Sequence, residues 1–282
     1  MSSSALPYPP QSSRRVVVVG AGAAGCMAAI FAAAGGAETV LLERTRDGGR
    51  KILISGGGRC NVLPMRVDES RFVTDSSPNL LRKILRSWPL AEQVAFFENE
   101  LRLPLAEEPE SAKLFPLSNK ARDVRDGLLA YCTRMGAKVR MNSVVTGIHP
   151  VDGGWRVYCD TTPPIDADAV IIATGGLSVP NTGSDGLGLR ELKRLGHVIH
   201  PVYAALTPLT STESPFAELS GVSLRVTISA RDASAGRSAI ATGGFLFTHH
   251  GYSGPAVLDV SHVLVRSRAE SSSAARLTVQ WT

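Results

Sequence analysis

Four consecutive valines, Val16–Val19, open the folded part of the chain and predict a short buried strand. Small residues follow from Cys26 to Ala34 and predict a helix that stops at Gly35-Gly36. A second apolar run, Thr39 to Leu42, predicts a strand ending at Glu43. Asn79 to Arg102 has helical spacing, with Leu80, Ile84, Leu85, Trp88, Val94, Phe96 and Phe97 as core candidates and a break at Pro89. Ser118 is placed to cap a helix reaching Met135, with Ala121, Val124, Leu128 and Cys132 on one face and Gly136 as its stop. Lys138 to Ile148 and Trp155 to Thr161 read as strands flanking the Asp152-Gly153-Gly154 turn. Asp168 to Ala173 reads as a buried strand ending in Thr174-Gly175-Gly176, and Asp185 to Leu195 as a short helix ended by Gly196. From His197 the texture changes to short β-rich runs at Val198–Tyr203, Val222–Ser229 and Gly244–Phe247. A helix from Gly254 to Val265, with Ser253 as its cap and Pro255 in its first turn, comes next.

Length sharpens this picture. At ~150 residues per domain, 282 residues predict two domains or one large one. The 44% hydrophobic and 20% charged content excludes a wholly disordered chain. Aromatics are only 6% against 27 glycines, so the core rests on small and branched aliphatics, with many tight turns. The net charge of +5 suits an anionic ligand without specifying one. Cys26, Cys60, Cys132 and Cys159 have no CxxC spacing and no His cluster beside them. No metal site or disulfide scaffold is expected, and a reducing, cytoplasmic compartment is the default. Residues 1–15 are Ser- and Pro-rich with no acidic residue. They predict a disordered arm, or a short targeting segment that would send the protein to a plastid or mitochondrion. The uncharged stretch from Val16 to Ala37 is punctuated by Gly20, Gly22, Gly25, Gly35 and Gly36, which argues against a membrane helix.

Chemistry enters at Gly20-Ala21-Gly22-Ala23-Ala24-Gly25, a G-x-G-x-x-G between the first strand and the first helix. Gly20 allows the strand-to-helix turn, Gly22 lets backbone approach a pyrophosphate, and Gly25 lets helix and strand pack closely. The helix N-terminus offers free N–H groups and partial positive charge to phosphates. Glu43, about twenty residues on, stands where a carboxylate binds ribose hydroxyls and repels a 2′-phosphate. A second glycine-rich stretch contains Gly48-Gly49-Arg50-Lys51 and Ser55-Gly56-Gly57-Gly58-Arg59-Cys60-Asn61. From Glu43 to Arg66 six basic residues face two acidic ones, so this loop is expected to meet the same anionic ligand. A βαβ start, a β-meander and a strand ending in Ala173-Thr174-Gly175-Gly176 follow the plan of flavoproteins with two dinucleotide-binding motifs.

Several runs resemble the YhiN/BaiN-type flavoproteins, a family of NAD(P)/FAD-dependent oxidoreductases and aminoacetone-oxidase-like proteins. They are Gly49–Asn61, Leu114–Ala121, Ala173–Pro180 with Thr182-Gly183-Ser184, and Leu246–Pro255, in family order. The resemblance implies an α/β fold: a Rossmann-like FAD-binding domain with a β-meander over residues 16–197, and an inserted β-rich domain over 198–282. It implies bound FAD, with Gly20, Ala21, Gly22, Ala23, Ala24 and Gly25 on the pyrophosphate, Glu43 on the adenosine ribose, and Arg44 among the cofactor-binding residues. Lys51, Ser55, Gly56, Gly57, Gly58, Arg59, Cys60 and Asn61 would lie along the cofactor. Val145 would meet adenine through its backbone, and Thr174, Gly175 and Gly176 would complete the pocket. Leu63-Pro64, Leu187 and Leu189 depart from the family pattern.

The expected function is flavin-dependent hydride transfer on a small molecule, with NAD(P)H as a transient reductant reaching the flavin through the substrate cleft. No nucleic-acid partner and no membrane is expected. His249, beside His250, is a candidate for proton transfer or substrate positioning. Two other functions compete. One is a tRNA-modifying or folate-linked flavoenzyme. The other is a non-catalytic flavin-binding protein, because Leu277–Thr282 reads as a strand entering an unfinished inserted domain.

Overall fold

A computed structural model describes residues 14–109, 111–211, 216–270 and 275–281. The expected N-terminal arm lies outside them, apart from Arg14 and Arg15. The chain divides into two compact units, one ending at Ile199 and one beginning at His200.

The first unit runs β1 (Arg15–Val19), α1 (Ala23–Ala34), β2 (Glu38–Leu42), α2 (Arg50–Ile54), β3 (Leu63–Pro64), α3 (Pro78–Ser87) and α4 (Leu90–Ala95). It continues through β4 (Leu105–Glu108), β5 (Lys113–Pro116), α5 (Ala121–Arg134), β6 (Lys138–Arg140), β7 (Val145–Val151), β8 (Gly154–Cys159), β9 (Ile165–Ala167), β10 (Ala169–Ile172) and α6 (Leu187–Arg194). Its centre is a parallel sheet in the order β10-β1-β2-β6.

The unbroken valine run follows from burial on both faces of that sheet. Val18 and Leu41 point to one side and join a core with Cys26, Ala29 and Ile30 of α1 and Val124, Leu128 and Cys132 of α5. Val17, Val19, Val40 and Leu42 point to the other side and pack on Val145, Ile148, Val157 and Ile165 of the antiparallel meander β7-β8-β9. Burying each such aliphatic side chain contributes ~1.5–3 kcal/mol.

Several expected elements differ. Lys138–Ile148 is two strands: β6 joins the parallel sheet and β7 the meander, because the chain turns at Asn142, whose φ is 52°. Asn79–Arg102 becomes α3, α4 and a single π turn at Phe96–Glu100. Ser118 Oγ accepts from Lys120 N–H at 3.4 Å, but α5 starts at Ala121 with no side-chain cap. Val198–Tyr203 is not a strand; it holds Pro201 and leaves Val198 84% exposed. The sheet β3-β5-β4, which includes the departing Leu63-Pro64 pair, went unread.

The second unit contains β11 (Leu209–Thr210), β12 (Ser223–Asp232), β13 (Arg237–Thr248), β14 (Gly251–Ser253), α7 (Pro255–Glu270) and β15 (Arg276–Trp281). They form an antiparallel sheet in the order β11-β14-β13-β12-β15. Val257, Val260 and Val263 of α7 cover Val226, Ile228 and Phe245 of the sheet. Ser253 lies in β14 rather than capping α7. Gly254 makes the turn, where a Cβ would meet Gly244 O at 2.6 Å. Among the described residues, no helix is long and apolar enough to cross a membrane.

Candidate functional site

The carboxyl ends of β1, β2 and β10 converge on one edge of the parallel sheet, the edge at which such sheets bind ligands. A cavity of about 650 Å³ opens there, with all its lining residues between Val19 and Leu192.

The three fingerprint glycines do different work. Gly20 has φ +102°, donates to Leu42 O at 2.7 Å, and a Cβ there would sit 2.6 Å from Ala173 O. A Cβ at Gly25 would overlap the Gly20 carbonyl oxygen, so this glycine permits the strand–helix contact. At Gly22 a Cβ would meet no atom within 4 Å, so the space in front of it is open. Gly22 is also the N-cap of α1, with no side chain capping the helix. Ala23 and Ala24 line the cavity in the first helical turn, where N–H groups lack intrahelical acceptors.

Glu43 is 8% exposed and lines the cavity at the end of β2. Its Oε2 accepts from Ala21 N–H at 2.8 Å, and its Oε1 accepts from Thr45 N–H at 2.8 Å and Thr45 Oγ at 2.7 Å. Thr45 Oγ also accepts from Gly48 N–H at 3.1 Å, and Gly49 N–H donates to Ala21 O at 3.0 Å. Glu43 thus clamps the first glycine turn to the second, a role that its spacing alone did not suggest. On the far side of the second turn, buried Arg125 of α5 donates to Asp47 O at 3.1 Å and pairs with Asp126. Arg125 packs its stem where a Cβ of Gly49 would lie.

The cavity brings together Gly20, Gly22, Ala23, Ala24, Glu43, Arg44, Lys51, Ser55, Cys60, Asn61, Val145, Thr174 and Gly175 of the expected set. Ala21, Gly25, Gly56, Gly57, Gly58, Arg59 and Gly176 do not line it. Arg59 turns to the β3-β5-β4 sheet, where it pairs with Glu108 at 2.6 Å and lies 4.3 Å over the Phe115 ring. That pairing holds the Glu108 carboxyl below its ordinary range. Gly56 is confined by packing, since a Cβ would fall 2.9 Å from both Asn61 N and the Phe115 ring. Burial pushes the Cys60 thiol up, which keeps it protonated. Two further cations of this stretch are paired as well: Arg44 with Asp185 at 2.7 Å and Arg50 with Asp47 at 3.0 Å. Lys51 Nζ donates to Ser178 Oγ at 3.0 Å.

Two walls were missed. Ile52, Val62, Phe97, Val124 and Leu128 form an apolar side, with Phe97 presented by the π turn. Thr182, Gly183, Ser184, Leu187 and Leu189 form a second wall, with Gly183 packed against the Arg44 stem and Ser184 against Gly175. The Thr182-Gly183-Ser184 run was visible as a motif, but its position in the cavity was not. His249 lies in the second unit, exposed in the turn between β13 and β14.

Comparison with known proteins agrees with this geometry. The model described as "HI0933-like protein Rossmann domain" matches residues 14–257. The chain is 31% identical to a 3-dehydro-bile acid delta(4,6)-reductase of Clostridium scindens, over 82% of this chain and 55% of that protein. It is 32% identical to a ribosomal RNA dihydrouridine synthase of Haemophilus influenzae, over 76% of this chain and 52% of that protein. It therefore spans about half the length of these curated relatives. A solved flavocytochrome c3 fumarate reductase in its open conformation shares the fold at TM-score 0.53, with 19% identity over 76% of this chain and 47% of that one. The match extends over most of the described residues and includes the glycine turns, the Glu43 clamp and the strand ending in Thr174-Gly175, so the chain belongs to the HI0933-like Rossmann-domain family.

Proposed function

We propose that this chain holds FAD in the cavity at the sheet edge and serves an oxidoreductase that adds hydride to a carbon–carbon double bond. The observation that carries the cofactor is the division of labour at Gly20, Gly22 and Gly25: two are sterically obligatory within the protein, and the third faces open space beside an uncapped helix N-terminus. Ala23 and Ala24 N–H groups would hold the pyrophosphate, and Lys51 and Thr174-Gly175 would flank it. Glu43, Ser143 and Val145 would surround the adenosine. The free lone pairs of Glu43 remain able to accept ribose hydroxyls while the carboxylate holds Ala21 and Thr45. When bound, the flavin supplies two-electron hydride chemistry. The chain's own part is to bind, orient and shield it; the apolar wall of Ile52, Val62, Phe97, Val124 and Leu128 excludes water.

The reaction class rests on the relatives. A delta(4,6)-reductase and a dihydrouridine synthase both add two hydrogens across a double bond. A small conjugated substrate is favoured over RNA, because carboxylates already neutralise Arg44, Arg50 and Arg59. The test is the visible spectrum of the purified protein, followed by anaerobic titration with NADH and NADPH. Flavin absorption that one of them bleaches, and that a conjugated enone restores, is expected. A colourless protein that takes up no added FAD would end this reading.

A further inference from the structure

Helix α3 has no buried residue, although its apolar positions recur with helical spacing. Two anchors set its orientation. Arg82 donates to Glu69 Oε2 at 3.1 Å and to Asn79 Oδ1 at 3.0 Å. Trp88, just past the last turn, meets Phe31 of α1 and Phe96 edge-on at 5.5 and 5.6 Å. By helical spacing the half-buried Leu81 and Leu85 share the side of Trp88. The edge left outward carries Leu80, 52% exposed, and Ile84, 60% exposed, one turn apart. Exposed Lys83 borders them and exposed Arg86 follows around the helix. Among the described residues no carboxylate pairs with either cation. The helix holds Arg82, Lys83 and Arg86 and no acid. The Asp68–Arg71 turn, which Arg82 ties to α3, is flanked by exposed Val67 on one side and exposed Phe72 and Val73 on the other.

Scattered exposed aliphatics need no account, but five large apolar side chains between Val67 and Ile84 do. None of them lines the cavity. A helix without a buried residue stands out from the surface as a ridge. A protein partner would have to offer it a groove, whereas a bilayer surface takes a ridge as it is. An apolar edge bordered by unpaired cations has the chemistry of a helix lying among anionic headgroups.

We propose that α3 and the Phe72-Val73 loop dock the protein on an anionic lipid bilayer. Leu80 and Ile84 enter the acyl boundary, and Lys83 and Arg86 meet the headgroups. The helix lies on the membrane and does not cross it. This departs from the expectation, read from the sequence, of no membrane partner, and it does not depend on the flavin reading.

The experiment is flotation with vesicles of phosphatidylcholine alone and of phosphatidylcholine mixed with phosphatidylglycerol. The wild type is expected to float with the mixture and not with phosphatidylcholine, and to be released by high salt. The double variants Leu80→Ser/Ile84→Ser and Lys83→Glu/Arg86→Glu are each expected to bind at least about tenfold more weakly. Their melting temperatures and FAD affinities should stay as in the wild type, because these residues are exposed and outside the cavity. No flotation with the mixture, equal flotation with phosphatidylcholine, or variants that float like the wild type overturns the proposal. So does a dimer in light scattering that Leu80→Ser/Ile84→Ser dissolves, since the ridge would then face a second copy. A chain that takes up no FAD still gives a flotation result, so the two readings fail separately.

Discussion

A methyl group added at Gly25 would run into the Gly20 carbonyl, whereas one added at Gly22 would meet only open space. Gly25→Ala is therefore expected to destabilise the chain by ~3 kcal/mol or more through forced strand–helix separation. Gly22→Ala, at φ −77°, should change ligand-free stability by less than ~1 kcal/mol, because the entropy lost by the unfolded chain is offset by the poorer helix N-cap. Its FAD affinity should nevertheless fall by at least about tenfold, since the methyl occupies the phosphate approach. Thermal melts paired with flavin titrations check both. At Glu43, glutamine would present an amide donor to Ala21 N–H or to the Thr45 donors. Glu43→Gln should cost ~1–3 kcal/mol in urea unfolding even without cofactor. The glycines and the acid were legible because a fingerprint fixes their spacing. The Thr45 and Arg125 contacts were not, since they arise only when the 45–49 turn folds back on Ala21 and α5 packs beneath it.

Among the elements, α4 and its π turn gather rings from distant segments. Phe96 stacks on Phe31 of α1 and meets Trp88, Phe97 and Tyr131 edge-on. Phe96→Ala is expected to cost ~3 kcal/mol, and Phe96→Leu clearly less. Chemical denaturation measures the difference. The turn before α6 is held electrostatically by Arg44, which keeps the Asp185 carboxyl below its ordinary range. That stabilisation is present above the unfolded carboxylate pKa and is lost as pH falls through the lower folded value. Both side chains are more than a third exposed, so Asp185→Asn should shift stability by less than ~1 kcal/mol, and less still at high salt. Melts across the acid range check the sign. The long periodic elements, α1, α5 and the β1–β2 pair, could be read along the sequence. Two- to four-residue strands such as β3 and β4 could not, because their pairing partners lie far along the chain. Nor could the split between β6 and β7, which depends on one left-handed residue, Asn142.

On the scale of the whole molecule, every lining residue of the cavity belongs to the first unit. FAD at about 100 times its dissociation constant should stabilise the state that binds it by ~2.7 kcal/mol. In hydrogen exchange, added protection is expected up to Ile199, with little change from His200 onward. Protection in β12 and β13 comparable to that in β1 and β2 would show that the second unit shares the binding energy. The order of the motifs made an α/β chain with a β-rich second part legible. It placed His249, however, only by position along the sequence, and the cavity is built without it. The Ala21–Glu43–Thr45–Gly48 network has a consequence for handling the protein. Its bonds join protein atoms alone, so the cradle stands ready-made before any cofactor arrives. Stripped of flavin, the chain should be rechargeable with ring-modified analogues, in a single uptake phase whose rate rises linearly with analogue concentration and involves no refolding step.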